Sequence, residues 1–377
     1  MDKLSSYNYD LPKTFIAQNA HQPQDECKLL YCKDWNLKDL VFKDIKEILT
    51  ENDVLFFNNS KVIKARIKWK LEKDIFTLSE DGKDEIFFLK NLEWNVFTAL
   101  IRPWKKFKVW KRIYIKDYPY EFEVIDNTKE WRLIRLNSKE NIFDVFEKIG
   151  SMPLPPYIEY KKEKAWDYQT IFAKKPWSVA APTASLHFTK ELFSELKQKQ
   201  IDMMYSTLYV WEWTFKIVDT ENIINYDIHE ELVEIPLDIF DKISENKLKW
   251  KNIVAVWTTA TRILETLPFV YAKLSLNHNN FWNSLVKDIK KEDIQKFIPW
   301  DIIQTKDTIS FETKLFIYPW FKFHLVNKLI TNFHIPRSSL LMLVGAFMWY
   351  KNMKKAYEHA IKNKYRFFSF WDAMMIE

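Results

Sequence analysis

Apolar positions recur along this chain with two different periods. From about Arg66 to Leu136 they alternate with polar ones, as in Arg112-Ile113-Tyr114-Ile115-Lys116, Tyr120-Glu121-Phe122-Glu123-Val124 and Trp131-Arg132-Leu133-Ile134-Arg135-Leu136. A period of two with turn residues between predicts a small antiparallel sheet or barrel. Met152-Pro153-Leu154-Pro155-Pro156-Tyr157 is too rich in proline for a helix or a central strand and reads as the crossing out of that module. Elsewhere, short wholly apolar runs alternate with amphipathic ones. Val54-Leu55-Phe56-Phe57 and Ile253-Val254-Ala255-Val256 read as buried strands. Thr189 to Lys199 reads as a helix with a Thr cap and Leu192, Phe193 and Leu196 on its apolar side. Thr258 to Leu267 is a second helix. Phe316 to Tyr318 and Leu325 to Asn332 precede a third, starting near Arg337 after Pro336. This alternation predicts an α/β domain with a largely parallel sheet. The fold class expected is therefore a larger α/β domain, residues 1–65 and 151–377, with a small antiparallel β-barrel domain inserted at 66–150.

Composition narrows the function classes. With 47% hydrophobic and 29% charged residues in 377, the chain can bury a core and is neither disordered nor collagen-like. No apolar run approaches the length of a membrane span, and Met1-Asp2-Lys3-Leu4-Ser5-Ser6 lacks the hydrophobic stretch of a signal peptide, so a cytoplasmic protein with no membrane partner is expected. Cys27 and Cys32 form neither a C-x-x-C pair nor a ligand set, which argues against a disulfide framework and a structural zinc. Lys and Arg exceed Asp and Glu by 57 to 51, a balance that permits a nucleic-acid partner without demanding one.

Glycine changes the picture. Average usage of about 7% predicts roughly 26 glycines, yet there are 3, beside 17 tryptophans. A domain of this size needs residues that tolerate positive φ at its turns and helix ends, and tryptophan is poorly suited to that.

Four segments hold candidate chemistry, each with a plainer alternative. Ala180 to Thr189 is small and polar and opens a helix, a setting that suits a carboxylate or phosphate. An ordinary loop, with a Thr189 cap and His187 packed beside Phe188, is the reading that composition alone favours. Trp257-Thr258-Thr259-Ala260-Thr261-Arg262-Ile263-Leu264-Glu265 follows a buried strand, where open α/β sheets bind ligands. An Arg262–Glu265 ion pair on one helix face is the alternative. Thr331 to Ser339 carries His334, either an acid or base or a packing residue. Arg102 to Arg112, with Lys105, Lys106 and Lys108 among aromatic residues, is either a phosphate-holding stretch or a solvated barrel face. No Walker A, H-E-x-x-H, EF-hand or G-x-S-x-G motif is present.

In order along the chain these segments resemble the S-adenosylmethionine:tRNA ribosyltransferase-isomerase family of queuosine biosynthesis. The resemblance runs from Tyr9-Asp10-Leu11-Pro12 through Phe57-Asn58-Asn59-Ser60-Lys61-Val62-Ile63-Lys64-Ala65-Arg66, Pro153-Leu154-Pro155-Pro156-Tyr157-Ile158 and Tyr168-Gln169-Thr170. It continues through Ala180–Thr189, Thr258-Thr259 with Arg262 and Glu265, and Thr331-Asn332-Phe333-His334. It ends with Tyr365-Arg366-Phe367-Phe368-Ser369 and Asp372-Ala373-Met374. The resemblance implies an α/β domain with an inserted barrel. It also implies a reaction in which S-adenosylmethionine gives up its ribosyl group to 7-aminomethyl-7-deazaguanine at the wobble position of tRNA. The ribose becomes an epoxy-cyclopentanediol, while adenine and methionine leave. S-adenosylmethionine is thus a substrate, tRNA the partner, and a monomer without a metal is expected. The sulfonium acidifies the neighbouring carbon protons, and departing adenine gains from a proton donor. The resemblance makes His187, Glu265 and His334 candidates for proton transfer. It makes Arg66, Thr183, Thr258, Thr259, Arg262, Asn332 and Asp372 candidates for holding the substrate, and Arg102, Lys105, Lys106 and Lys108 candidates for holding tRNA.

Three departures stand out. Tyr209 and Tyr226 occupy family histidine positions, which keeps a non-catalytic tRNA-binding relative as the alternative. Ser185 replaces a glycine. Finally, Trp69, Trp104, Trp110, Trp177, Trp211, Trp213, Trp250, Trp257, Trp320, Trp349 and Trp371 fall where the family has glycine. These are expected to be glycines encoded by UGA, with a backbone that requires them after Pro103, Pro176 and Pro319 and at Trp257. The remaining six, Trp35, Trp94, Trp131, Trp166, Trp282 and Trp300, have no assigned counterpart.

Overall fold

The structure is a computed structural model that describes residues 2–72, 75–79, 82–128, 131–154, 158, 168–210, 218–276, 280–368 and 372–377. Pro155 to Tyr157, Trp166, Trp211 to Trp213 and Trp371 lie outside the described residues. The chain divides into two compact units. One holds Met1–Ser60, Pro155–Lys175 and Pro182–Glu377; the other holds Lys61–Leu154 and Pro176–Ala181.

The first unit is built on a ten-stranded mixed sheet. Across it the strands run Ile303–Gln304, Thr308–Thr313, Glu231–Pro236, Asp202–Leu208, Asp53–Asn58, Asn252–Val256, Val326–Asn332, Ala373–Ile376, Lys28–Lys33 and Asn36–Val41. The expectation of a largely parallel sheet holds only in the centre. There Asp202–Leu208, Asp53–Asn58, Asn252–Val256 and Val326–Asn332 are mutually parallel, whereas most of the flanking pairs are antiparallel hairpin-type neighbours. The apolar runs explain the difference. Every residue of Asp53–Asn58 is buried, as a strand covered on both faces must be, while Glu231–Pro236 and Thr308–Thr313 alternate like half-covered strands.

The helices follow their caps. Lys190–Gln198 starts where Thr189 Oγ1 accepts from Leu192 N, as its sequence predicts. Thr258–Lys273 runs past Leu267 and straight through Pro268, longer than expected. Proline removes one backbone donor, but almost the whole helix is buried, and packing on all sides outweighs that loss. The last expected helix begins at Ser339 rather than near Arg337, because Ser338 Oγ caps Leu341 N and Arg337 sits at φ 61°.

The second unit is a seven-stranded antiparallel sheet in the order Ile75–Leu78, Arg66–Glu72, Asp84–Glu93, Val96–Arg102, Arg132–Asn137, Glu121–Asn127, Arg112–Tyr114. A bridge between Phe76 and Ile115 brings its two edges together, so it nearly closes into the expected barrel. The period of two is visible in burial: Phe122 and Val124 face inward with Ile134 and Leu136.

Tryptophan recurs where the backbone turns left-handed. Trp35, Trp110, Trp177, Trp250, Trp257, Trp320 and Trp349 all have positive φ. Trp320 sits at φ 79° after Pro319, and Phe321 N donates to Tyr318 O at 3.1 Å, which makes a type II turn with tryptophan in the glycine position. Trp250, at φ 58°, ends the helix Ile239–Leu248: Lys251 N reaches Asn246 O at 3.0 Å and Trp250 N reaches Lys247 O at 3.0 Å, a Schellman motif. Asp34 and Trp35 form a two-residue hairpin loop with φ 46° and 70°, the type I′ geometry that Asp-Gly favours. The expectation does not extend to every position. Trp104 follows Pro103 but opens a short 3-10 turn and lies under the Arg132 guanidinium, and Trp69 lies in a strand in the barrel core. Neither has positive φ.

Candidate functional site at the switch point of the sheet

The four parallel strands carry their C-termini to one edge. In chain order Asp53–Asn58 comes first, yet Asp202–Leu208 lies on one side of it and Asn252–Val256 on the other. Chain direction across the sheet reverses there, the place at which open α/β sheets bind ligands. Asn58 stands at that point. Its Nδ2 donates to Leu208 O at 3.0 Å and to Thr259 Oγ1 at 3.1 Å, while its Oδ1 accepts from Ser60 N and Leu208 N. The helix Thr258–Lys273 begins at the same place, with its free N–H groups directed at the edge.

The hydroxyls around this edge are under-used. Thr258 Oγ1, Ser60 Oγ and Ser206 Oγ, on residues at or next to these strand ends, are buried and hydrogen-bond nothing among the described residues. A buried unsatisfied group costs on the order of 1–3 kcal/mol, so such hydroxyls are suited to a polar ligand.

A second group of side chains meets at the end of Val326–Asn332. The 3-10 turn Thr183–His187 carries both Thr183 and His187 to Asn332. Thr183 Oγ1 donates to Asn332 Oδ1 at 2.9 Å, Asn332 Nδ2 lies 3.0 Å from His187 Nε2, and Cys27 Sγ lies 3.3 Å from His187 Nδ1. His334 is close in sequence and bonds Thr331 Oγ1 through Nε2 at 2.8 Å; Tyr9 donates to its carbonyl. Burial lowers both His187 and His334 to about 3, so both rings are neutral at pH 7. Neither ring carries the extra proton of an imidazolium there, and each offers one lone pair.

The remaining candidates sit apart from this group. Glu265 accepts from His324 N at 2.7 Å, Leu325 N at 3.0 Å and Val326 N at 2.9 Å. Those residues lead into the start of Val326–Asn332, and Asn332 is at its end, roughly 20 Å away for a strand of this length. Arg262 pairs with buried Glu231, and donates to Leu315 O at 3.1 Å and Thr313 O at 3.4 Å. The ion pair on that helix is therefore with Glu231 of the neighbouring strand, not with Glu265. Asp372 accepts from Lys28 N at 2.8 Å and Arg366 N at 2.7 Å, tying two backbone segments beside Cys27. Tyr209 is buried with its hydroxyl 3.4 Å from Glu234.

The barrel unit holds the other set. Arg66 and Arg102 both reach Glu85, at 3.4 and 3.3 Å. Lys105, Lys106 and Lys108 are exposed, and buried Phe107 anchors the stretch between them.

Three participants carry little signal in the sequence. Asn58 ends a wholly apolar run, and a polar residue at that point of a buried strand is the one clue. Glu231 and Cys27 are marked by nothing local: their partners, Arg262 and His187, are distant in sequence. Among the described residues no group of His, Cys, Asp or Glu is arranged to hold a metal, and no helix is long and apolar enough to cross a membrane.

A switch point in an α/β sheet, a helix N-terminus beside it and buried unpaired hydroxyls are features with which proteins of the α/β class hold small polar ligands. A basic barrel accompanies them. The sequence profile of the queuosine biosynthesis proteins matches residues 4–376, and the chain belongs to that family. A relative from Sulfurihydrogenibium, named S-adenosylmethionine:tRNA ribosyltransferase-isomerase, is 40% identical over 378 residues and covers 99% of each chain. A relative of the same name from Halothermothrix orenii is 36% identical, again over 99% of each. The crystal structure of the S-adenosylmethionine tRNA ribosyltransferase from Thermotoga maritima aligns with 99% of this chain and 100% of its own, at 28% identity and a TM-score of 0.50.

Proposed function

We infer that this chain is a transferase that moves the ribosyl group of S-adenosylmethionine onto 7-aminomethyl-7-deazaguanine at the wobble position of tRNA and isomerises it, releasing adenine and methionine. End-to-end similarity to relatives bearing that name carries the reading. The buried hydroxyls Thr258, Ser60 and Ser206 at the switch point support a polar substrate there. Thr259, through Asn58, keeps the helix terminus in register with the switch point. His187, neutral and turned toward Thr183 and Asn332, is the group we assign to proton abstraction. His334 is held by Thr331 and Tyr357 beside it. Glu265 and Arg262 support the fold around the site in this reading: the carboxylate holds the turn at 324–326, and the guanidinium holds the segment 313–315.

Incubation with S-adenosylmethionine and tRNA carrying the deazaguanine precursor should release adenine and methionine in equal amounts, followed by chromatography. S-adenosylhomocysteine as product would replace this reading with methyl transfer.

Lys105, Lys106 and Lys108 are the phosphate contacts we assign to tRNA. Neutralising phosphates displaces counterions, so binding should fall steeply with salt. Reversing all three to Glu should weaken tRNA binding more than tenfold at low salt and flatten its salt dependence, with S-adenosylmethionine affinity unchanged. Filter binding over a salt series checks this, and unaltered tRNA affinity would leave the stretch a solvated barrel face.

A further inference from the structure

His187 is held on both sides by buried hydrogen-bonding side chains. Thr183 donates its hydroxyl proton to Asn332 Oδ1 at 2.9 Å, which fixes the amide with its NH2 toward the histidine. An NH2 group can only donate, and it lies 3.0 Å from Nε2, so Nε2 must be the bare nitrogen. On the other side Cys27 Sγ lies 3.3 Å from Nδ1. A neutral ring with a bare Nε2 carries its proton on Nδ1, where the sulfur can accept it. All four side chains are buried, Asn332 at 2%, His187 at 3%, Thr183 at 4% and Cys27 at 1% exposure, so water does not compete for these roles.

We propose that Thr183, Asn332 and Cys27 are positioning groups that commit His187 to the Nδ1–H tautomer, leaving Nε2 as its unprotonated nitrogen. In the opposite tautomer two donors would face each other at Nε2. A ring that takes a proton at Nε2 must first release the Asn332 amide. This rests on the reading of His187 as the proton-abstracting group, but the tautomer itself does not depend on turnover. Cys27, a buried free thiol, acquires a role as the acceptor at the rear of the ring.

Long-range proton–nitrogen correlation on protein labelled with 15N-histidine reads tautomers directly, because bare and protonated ring nitrogens resonate far apart. The signals of His187 are assigned by their loss in His187→Gln. The expected result is a protonated Nδ1 and a bare Nε2, unchanged from pH 8 to pH 5. Asn332→Asp replaces the donor with a carboxylate that can only accept, and should exchange the two nitrogen signals. Cys27→Ser keeps an acceptor and should leave them in place, whereas Thr183→Val frees the amide to turn and should give a mixture. An Nε2–H tautomer in the unaltered protein would overturn the proposal even if every variant failed to fold. So would signals unmoved by Asn332→Asp. Full turnover by His187→Gln alongside the expected spectra would remove the proton-abstraction reading and leave the tautomer assignment standing.

Discussion

Replacing Trp35, Trp250, Trp320 and Trp349 together by glycine should raise the unfolding midpoint of the α/β unit by about 10 °C, from about 1 kcal/mol at each site. The magnitude comes from two opposed effects. A bulky residue held at positive φ costs on the order of 1–3 kcal/mol, and glycine returns roughly 0.5–1 kcal/mol of that through the greater freedom of the unfolded chain. Packing does not reverse the sign, because the rings have little to lose. Trp250 is 91% exposed, Trp320 69%, Trp35 68% and Trp349 57%. Trp110, 72% exposed at φ 70°, should act in the same way on the barrel. Positive φ alone does not demand glycine here. Gln200, Ser275 and Lys364 end helices with the same left-handed geometry and are ordinary polar residues. The concentration of the bulkiest side chain at such sites is what calls for the substitution. Calorimetry of the quadruple variant checks the expectation, and an unchanged or lower midpoint would refute it. The same argument reaches the gene: UGA codons at these positions and glycine in peptides of the native protein are expected, and UGG codons would end the idea.

The sequence showed the fold more fully than the site, for a physical reason. Strands and helices announce themselves through local periods, so the inserted barrel, the buried runs at Val54 and Ile253 and the Thr189 cap are all legible from neighbours in the chain. Where expectation missed, a tertiary effect had overridden a local one. Pro268 ought to end a helix, but that helix is buried on every side. The sheet ought to be largely parallel, but its flanks are built from strands that alternate and so pair as hairpins do. The site is a matter of partners far apart in sequence. Arg262 and Glu265 share one helix face and look like an ion pair, yet Arg262 faces Glu231 and Glu265 caps the turn before Val326. Thr183, His187 and Asn332 were each visible as polar residues in small, polar segments. Their meeting was not, since it depends on where strand Val326–Asn332 ends. Cys27 carries no motif at all, and only its distance to His187 reveals it.

Trp257→Gly should raise affinity for S-adenosylmethionine at least tenfold. Trp257 precedes Thr258 at the head of the helix beside the switch point, with φ 81° and ψ 163°. That corner of backbone space is essentially reserved for glycine, because any Cβ there collides with the flanking peptide. The indole is 1% exposed and its Nε1 hydrogen-bonds nothing among the described residues. Bulk and an unsatisfied donor therefore stand where ligand atoms would approach the first N–H groups of the helix and the free hydroxyl of Thr258. Removing the ring opens that approach. The stability change should be small, because losing a buried aromatic costs about 3–5 kcal/mol while relief of the strained backbone and the buried donor returns a similar amount. Trp257→Ala separates the two causes: it clears the space but keeps a Cβ on the strained backbone, so its affinity should fall between those of the tryptophan and glycine forms. Titration calorimetry with S-adenosylmethionine distinguishes these outcomes. Equal affinity in all three proteins would mean that the ligand does not approach the head of this helix, and the switch point at Asn58 would lose its claim to be the binding site.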